Sequence, residues 1–291
     1  MFSGSIPALV TPFCDGAFSE KHFRALIDWQ IEQGSSALVP AGTTGEASTL
    51  SNAEHHRVIE VCIEQAAGRV PVIAGCGSND TNNAILHLNF SKKSGAAAGL
   101  VVAPYYNRPN QEGIYAHFEA MTKKNDLPIV LYNVPARTVT DIKPETVARL
   151  AQLPTVIGIK DASGDMPRVT DHRLACGPDF CLLSGVDEQS LAFNAAGGRG
   201  CISVTANVAP KLCAEFQAAC ASGNYNLARE LNDKLYPLHL ALFSDASPGP
   251  IKYALSRVIE GFPTELRLPM TPPSEASRRQ VDAALENAGL I

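Results

Sequence analysis

Eight short apolar runs, each separated from the next by an amphipathic stretch, constrain this chain more than any other feature. They fall at residues 6–10, 37–40, 70–74, 99–103, 129–132, 155–159, 180–183 and 201–204. Most lack strict polar alternation, so they read as strands buried on both faces, as parallel strands are. The stretches between them have helical periodicity and readable ends. Ser51-Asn52-Ala53-Glu54 is a capping box that opens a helix running to Ala67. Pro144 suits a first helical turn. Gly34, Gly68, Gly95, Gly177 and Gly197 fall where a helix must stop before a strand begins. Eight βα units in series predict an α/β chain closed into a (β/α)8 TIM barrel. An open doubly wound sheet would instead carry a glycine-rich phosphate turn after its first strand, and Val10-Thr11-Pro12-Phe13-Cys14-Asp15 has none. Strand signals stop after Gly223, and residues 224–243, 251–260 and 274–288 read as helices. The expected organisation is a catalytic barrel over residues 1–223 with a helical appendage, residues 224–291, packed on it.

Composition excludes several classes of function. The chain has 291 residues, 45% hydrophobic and 18% charged, the balance of a soluble globular protein whose core needs no staples. Net charge is −5 with no long basic run, so neither nucleic acid nor an anionic membrane is an expected partner. The longest apolar run, near residues 95–104, falls short of the roughly 18 residues of a membrane span. Met1-Phe2-Ser3-Gly4-Ser5 lacks the basic start of a secretion signal. None of the eight cysteines forms a CxxC pair, which suits a reduced, cytoplasmic protein. The seven histidines look scattered, and His55-His56, the one adjacent pair, would point in different directions from a helix. Neither a metal nor a cofactor is expected.

In a barrel, the C-terminal ends of the strands converge on one mouth, where chemistry resides. The sixth run, Thr155-Val156-Ile157-Gly158-Ile159, ends in Lys160. Burial there favours the neutral amine. With a reference pKa of about 10.4, roughly one free lysine in a few thousand is neutral at pH 7. A fall of about three units would make roughly a quarter neutral. A neutral amine attacks ketones to form a Schiff base. The other strand ends carry Gly42-Thr43-Thr44-Gly45-Glu46, Tyr105-Tyr106-Asn107-Arg108-Pro109, Tyr132-Asn133-Val134-Pro135-Ala136-Arg137-Thr138 and Ser184-Gly185. Backbone N–H groups between Gly42 and Gly45 can hold a carboxylate, though such a stretch can equally be a plain turn. Tyr132 can pass protons, or be a core tyrosine. Arg137 can clamp a carboxylate, or be a solvated loop residue. Tyr105 and Tyr106 can be a surface or interface patch. Glu46 would support the turn or cap a backbone donor.

The motifs at Gly42–Glu46, Tyr105–Pro109 and Tyr132–Thr138, with Gly158-Ile159-Lys160-Asp161-Ala162, Ile202-Ser203-Val204-Thr205-Ala206-Asn207 and Leu266-Arg267-Leu268-Pro269-Met270, resemble the dihydrodipicolinate synthase family. This is the synthase group among the N-acetylneuraminate lyase-type, pyruvate-dependent Schiff-base aldolases, and the similarity spans essentially the whole chain. The resemblance implies condensation of pyruvate with L-aspartate 4-semialdehyde to 4-hydroxy-tetrahydrodipicolinate, a lyase reaction of lysine and diaminopimelate biosynthesis. The alternative within the wider family is a sugar-acid aldolase, lyase or dehydratase acting on a 2-keto-3-deoxy acid. Carried over by position, Lys160 forms the Schiff base. Tyr132, Thr43 and Tyr106 form a proton relay, with Tyr106 reaching in from a neighbouring subunit. Thr44 and the backbone around Ile202 hold pyruvate, Gly185 leaves room beside the lysine, and Arg137 grips the semialdehyde carboxylate. The resemblance also implies a homo-oligomer, a tetramer built as a dimer of dimers. It implies an allosteric lysine cleft from Ala47, Ser48, Asn52, His55, Asn79, Asn83 and Tyr105. Asn52 and Asn83 stand where lysine-inhibited members have a histidine and a glutamate, which puts feedback inhibition in question.

Overall fold

The computed structural model describes residues 1–291. Its frame is a seven-stranded parallel sheet. The strands are β1 (Gly4–Pro7), β4 (Ile73–Gly75), β5 (Ala98–Val102), β6 (Ile129–Asn133), β7 (Val156–Asp161), β8 (Cys181–Ser184) and β9 (Gly200–Ser203). A small hairpin, β2 (Phe13–Cys14) with β3 (Ala17–Phe18), follows β1. Spatial order is β1-β9-β8-β7-β6-β5-β4, and residues 38 and 39 join the two ends. Val39 N donates to Pro7 O at 3.0 Å, and Leu38 N donates to Pro71 O at 3.0 Å. The ring is therefore closed, and the fold is a TIM-type barrel.

The second apolar run, expected as a strand over 37–40, supplies only these bridges. Pro7, Pro40 and Pro71 all lie at this corner, and each removes a backbone donor from a ladder that needs one. The other strands fall within three residues of their expected starts and ends. The box at Ser51 is formed: Ser51 Oγ accepts from Glu54 N at 3.3 Å, and Glu54 Oε2 accepts from Ser51 N at 3.0 Å. The five helix-ending glycines all have positive φ, between 74° and 112°.

Strand alternation decides which side chains reach the lumen. On β6, Ile129 and Leu131 face the outer layer of helices, while Val130 and Tyr132 join the lumen cluster with Ile6, Val39 and Leu183. Ile159 of β7 packs outward. Its neighbour Lys160 therefore points inward, in register with Tyr132.

Three helices follow the barrel: Tyr225–Ala241, Gly249–Val258 and Glu275–Ala288. One side chain ties them to the barrel mouth. Lys252 is fully buried, and its Nζ donates to Glu46 Oε1 at 2.6 Å and to Glu265 O at 2.7 Å. No helix is long and apolar enough to cross a membrane.

Candidate active site

A cavity of about 660 Å³ opens at the C-terminal ends of the strands. Lys160 and Tyr132 share its floor, 6% and 8% exposed. The Lys160 ammonium nitrogen lies 4.3 Å from the centre of the Tyr132 ring. The chain thus buries two lysines in opposite ways. Lys252 is locked to a carboxylate and a carbonyl, whereas Lys160 has no ion-pair partner and faces open space. A buried amine without a counter-charge is costly as a structural element, and it is what a nucleophile requires.

Next to Lys160, the carboxyl of Asp161 is buried, which pushes its pKa up. The His172 ring, 3.5 Å from one carboxylate oxygen, and the Ser163 N–H, which donates to the other at 2.7 Å, outweigh that and hold it below the usual carboxylate range. Gly185 lies beside the lysine stem. A Cβ there would sit 2.8 Å from Ala162 Cβ and 3.0 Å from Lys160 Cε, closer than side chains tolerate, so only glycine leaves the stem free.

The turn at residues 42–46 is held from outside the cavity. Gly45 O accepts from Thr11 Oγ1 at 2.7 Å. The Glu46 carboxylate receives Lys252 on one oxygen and the Arg267 backbone N–H, at 3.1 Å, on the other. Glu46 itself has a left-handed backbone, φ 55°. Its expected supporting role is met by this ion pair. Within the turn, Gly45 N and Ala47 N donate to Gly42 O, while the N–H groups of Thr43 and Thr44 donate to no protein atom. Two free amides thus lie beside two hydroxyls on the cavity wall, donors of the kind that anions use.

Arg137 sits on the short helix Pro135–Thr138 directly after β6, lines the cavity and makes no ion pair. Its loop is braced from behind. Asn133 Nδ2 donates to Asp141 Oδ1 at 2.9 Å, and Arg168 donates to both Asp141 oxygens at 2.6 and 2.9 Å.

The remaining expected residues divide. Ala47, Ser48, Asn52, His55, Asn83 and Tyr105 line the same cavity as Lys160. Asn79 does not, but its Nδ2 donates to Tyr105 O at 3.1 Å. Ile202 lies beneath the floor in the lumen cluster. Tyr106 lies outside the cavity, 89% exposed, with a left-handed φ of 72°.

Sequence reasoning missed Lys252, because an amphipathic helix gives no sign that one of its lysines is buried. It missed Asp187, a buried carboxylate opening the short 3-10 helix Asp187–Gln189, which lines the cavity and accepts from Val204 N at 2.8 Å. It also missed His87. The histidines are not all scattered: His87, on the helix Thr81–Ser94, lies against both His55 and His56. Adjacent positions on one helix differ by about 100° in direction, which still lets both reach a third residue on the neighbouring helix.

The arrangement presents an unpaired amine, a phenol against it, a turn with two free amides and a free guanidinium, all lining one cavity. Residues 1–288 match the Dihydrodipicolinate synthetase family. The 4-hydroxy-tetrahydrodipicolinate synthase of Novosphingobium aromaticivorans is 73% identical, the match covering 100% of this chain and 99% of that protein. The enzyme of the same name from Erythrobacter litoralis is 71% identical with both chains fully covered. Among solved structures, the chloride-inhibited dihydrodipicolinate synthase of Acinetobacter baumannii complexed with pyruvate superposes with a TM-score of 0.97. It is 44% identical, with 100% of both chains covered.

Proposed function

Because the chain belongs to the dihydrodipicolinate synthetase family and carries 4-hydroxy-tetrahydrodipicolinate synthase activity, a lyase activity, we propose that Lys160 is its Schiff-base nucleophile. The observation that carries this assignment is the buried Lys160 amine, free of any carboxylate, held in register beside Tyr132 at the barrel mouth.

The Lys160 amine adds to the pyruvate ketone and, with loss of water, forms an imine. Tyr132, with Thr43 and Tyr106, moves the protons of addition and dehydration. The free amides and hydroxyls of Thr43 and Thr44 hold the pyruvate carboxylate. Backbone around Ile202 completes that subsite, and Gly185 leaves space for the substituted nitrogen. The imine acidifies the pyruvate methyl, and the resulting enamine carbon attacks the aldehyde of L-aspartate 4-semialdehyde, whose carboxylate Arg137 binds. The amine of that substrate then attacks the imine carbon, closes the ring and releases Lys160.

The exposed Tyr106, with its left-handed backbone, supports a homotetramer arranged as a dimer of dimers in which this phenol enters the partner's cavity. Eight free cysteines, most of them buried, support the cytoplasm as the compartment. Borohydride reduction with pyruvate, followed by peptide mass spectrometry, tests the nucleophile. The adduct is expected on Lys160 and absent from Lys160→Ala. An adduct on Lys211 or Lys252 refutes the assignment. Retro-aldol cleavage of a 2-keto-3-deoxy acid without turnover of the semialdehyde would instead identify a sugar-acid aldolase.

A further inference from the structure

The helices Asn52–Ala66 and Thr81–Ser94 pack side by side, and three imidazoles meet between them. Taking one ring nitrogen from each, His55, His56 and His87 place all three within 4.8 Å of one another. His87 Nδ1 and His56 Nε2 are 3.3 Å apart and share a hydrogen bond in the ion-free protein, one ring donating and the other accepting. A tetrahedral ion bound at about 2.0–2.1 Å by two nitrogens holds them about 3.3 Å apart, so an ion can replace that hydrogen bond with little movement of the rings.

The rings are fixed from behind. His56 stacks on Phe90, centres 3.7 Å apart and planes 4° from parallel. His55 and His87 are 6% and 4% exposed, and their ring centres lie 4.1 Å apart. Nδ1 of His55 is buried with no hydrogen-bond partner, an unmet polar atom in an otherwise saturated neighbourhood. Imidazole ligates a metal in its neutral form, through the ring nitrogen that carries no proton.

We infer that His55, His56 and His87 form a binding site for one borderline-soft divalent transition-metal ion, of which zinc and cobalt are the representatives. Three neutral imidazoles select such ions over magnesium or calcium, which prefer oxygen donors. A three-histidine set leaves a fourth position open. His55 and His87 line the same cavity as Lys160, which gives an ion a route to the site. The site is independent of the proposed role of Lys160, and an ion there would join two neighbouring helices of the barrel's outer layer.

The test uses the full-length protein after dialysis against a chelator. Titration with cobalt(II) is expected to give the intense visible bands of a four-coordinate ion, saturating at one ion per chain. Zinc(II) should displace it with the same stoichiometry in calorimetry. Loss of one ligand in His56→Ala or His87→Gln should weaken zinc binding by at least about a hundredfold, since even outer-sphere partners are worth 10–100-fold. His117→Ala, a buried histidine bonded instead to Thr81, should leave it unchanged. Circular dichroism checks that each variant is folded. His56 is only partly buried, so His56→Ala decides the matter if His87→Gln does not fold. Absence of the four-coordinate cobalt bands, or zinc binding equally tight in wild type and His56→Ala, overturns the inference.

Discussion

Lys252→Met tests whether the C-terminal helices hold the turn at residues 42–46. Methionine keeps the length and apolar stem of lysine but removes both hydrogen bonds of Nζ, to Glu46 at 2.6 Å and to Glu265 O at 2.7 Å. It also removes the cation lying 4.3 Å from the Phe13 ring centre. Glu46, whose side chain is 2% exposed, would keep a single protein donor, the Arg267 N–H. Stranding one charge of a buried pair costs about 3–5 kcal/mol. Unfolding entropy near the melting temperature is about 2.1 cal/mol/K per residue, or about 0.6 kcal/mol/K for this chain, so Tm should fall by about 5–8 °C. Calorimetry and denaturant titration read this change. Glu46→Gln in the same chain removes the stranded charge and keeps an acceptor for Arg267, so the double variant should regain at least half of the loss. Because Glu46 anchors the turn bearing Thr43 and Thr44, the KM for pyruvate should rise more than the KM for the semialdehyde. A Lys252→Met penalty below about 1 kcal/mol, or a double variant as unstable as the sum of the two singles, would refute the coupling.

Four further outcomes follow from the site. Tyr132→Phe keeps the ring against Lys160 and removes the hydroxyl. Steady-state kinetics should show kcat falling by about 10²–10⁴-fold, and a loss under about threefold would make the hydroxyl structural. Arg137→Ala should raise the KM for the semialdehyde by about tenfold to a hundredfold while that for pyruvate barely moves, reflecting a charge-assisted bond worth about 1.5–3 kcal/mol. Equal effects on both substrates would reduce Arg137 to a loop residue. L-Lysine should inhibit weakly at millimolar concentration, because Asn83 offers an amide where a carboxylate would pair with an ammonium; half-inhibition far below a millimolar in an initial-rate titration would contradict this. Acid should destabilise the fold. Burial lowers His55, His87 and His117 from 6.5 to about 3, 4 and 4, so between those values and 6.5 the unfolded chain binds more protons. The stability these neutral rings contribute is complete above about pH 6.5 and is lost as pH falls, by about 2 kcal/mol per histidine at pH 5. Equal denaturation midpoints at pH 7 and pH 5 would exclude that linkage.

What could be read from the residues and what could not divide along physical lines. Strands β5 to β9 were readable because both faces of a parallel strand are buried, which leaves continuous apolar runs in the sequence. Lys160 stood out for the same reason, since a charge at the end of such a run breaks the pattern. The second barrel strand was misjudged because hydrophobicity reports burial, whereas a ladder needs donors, and Pro7, Pro40 and Pro71 withhold them just where the ring closes. Lys252 left no trace because its partner, Glu46, lies 206 positions away. Either residue alone looks solvated, and only the pair explains why both are buried. The histidines make the same point from the other side. Periodicity within one helix separates His55 from His56, but the packing of two helices brings His87 to both, and no pattern along a single segment encodes that meeting. Local periodicity thus locates the strand ends and the residues carried on them. Pairings between distant segments decide which charges are locked in place, as at Lys252, and which, as at Lys160, are left free to react.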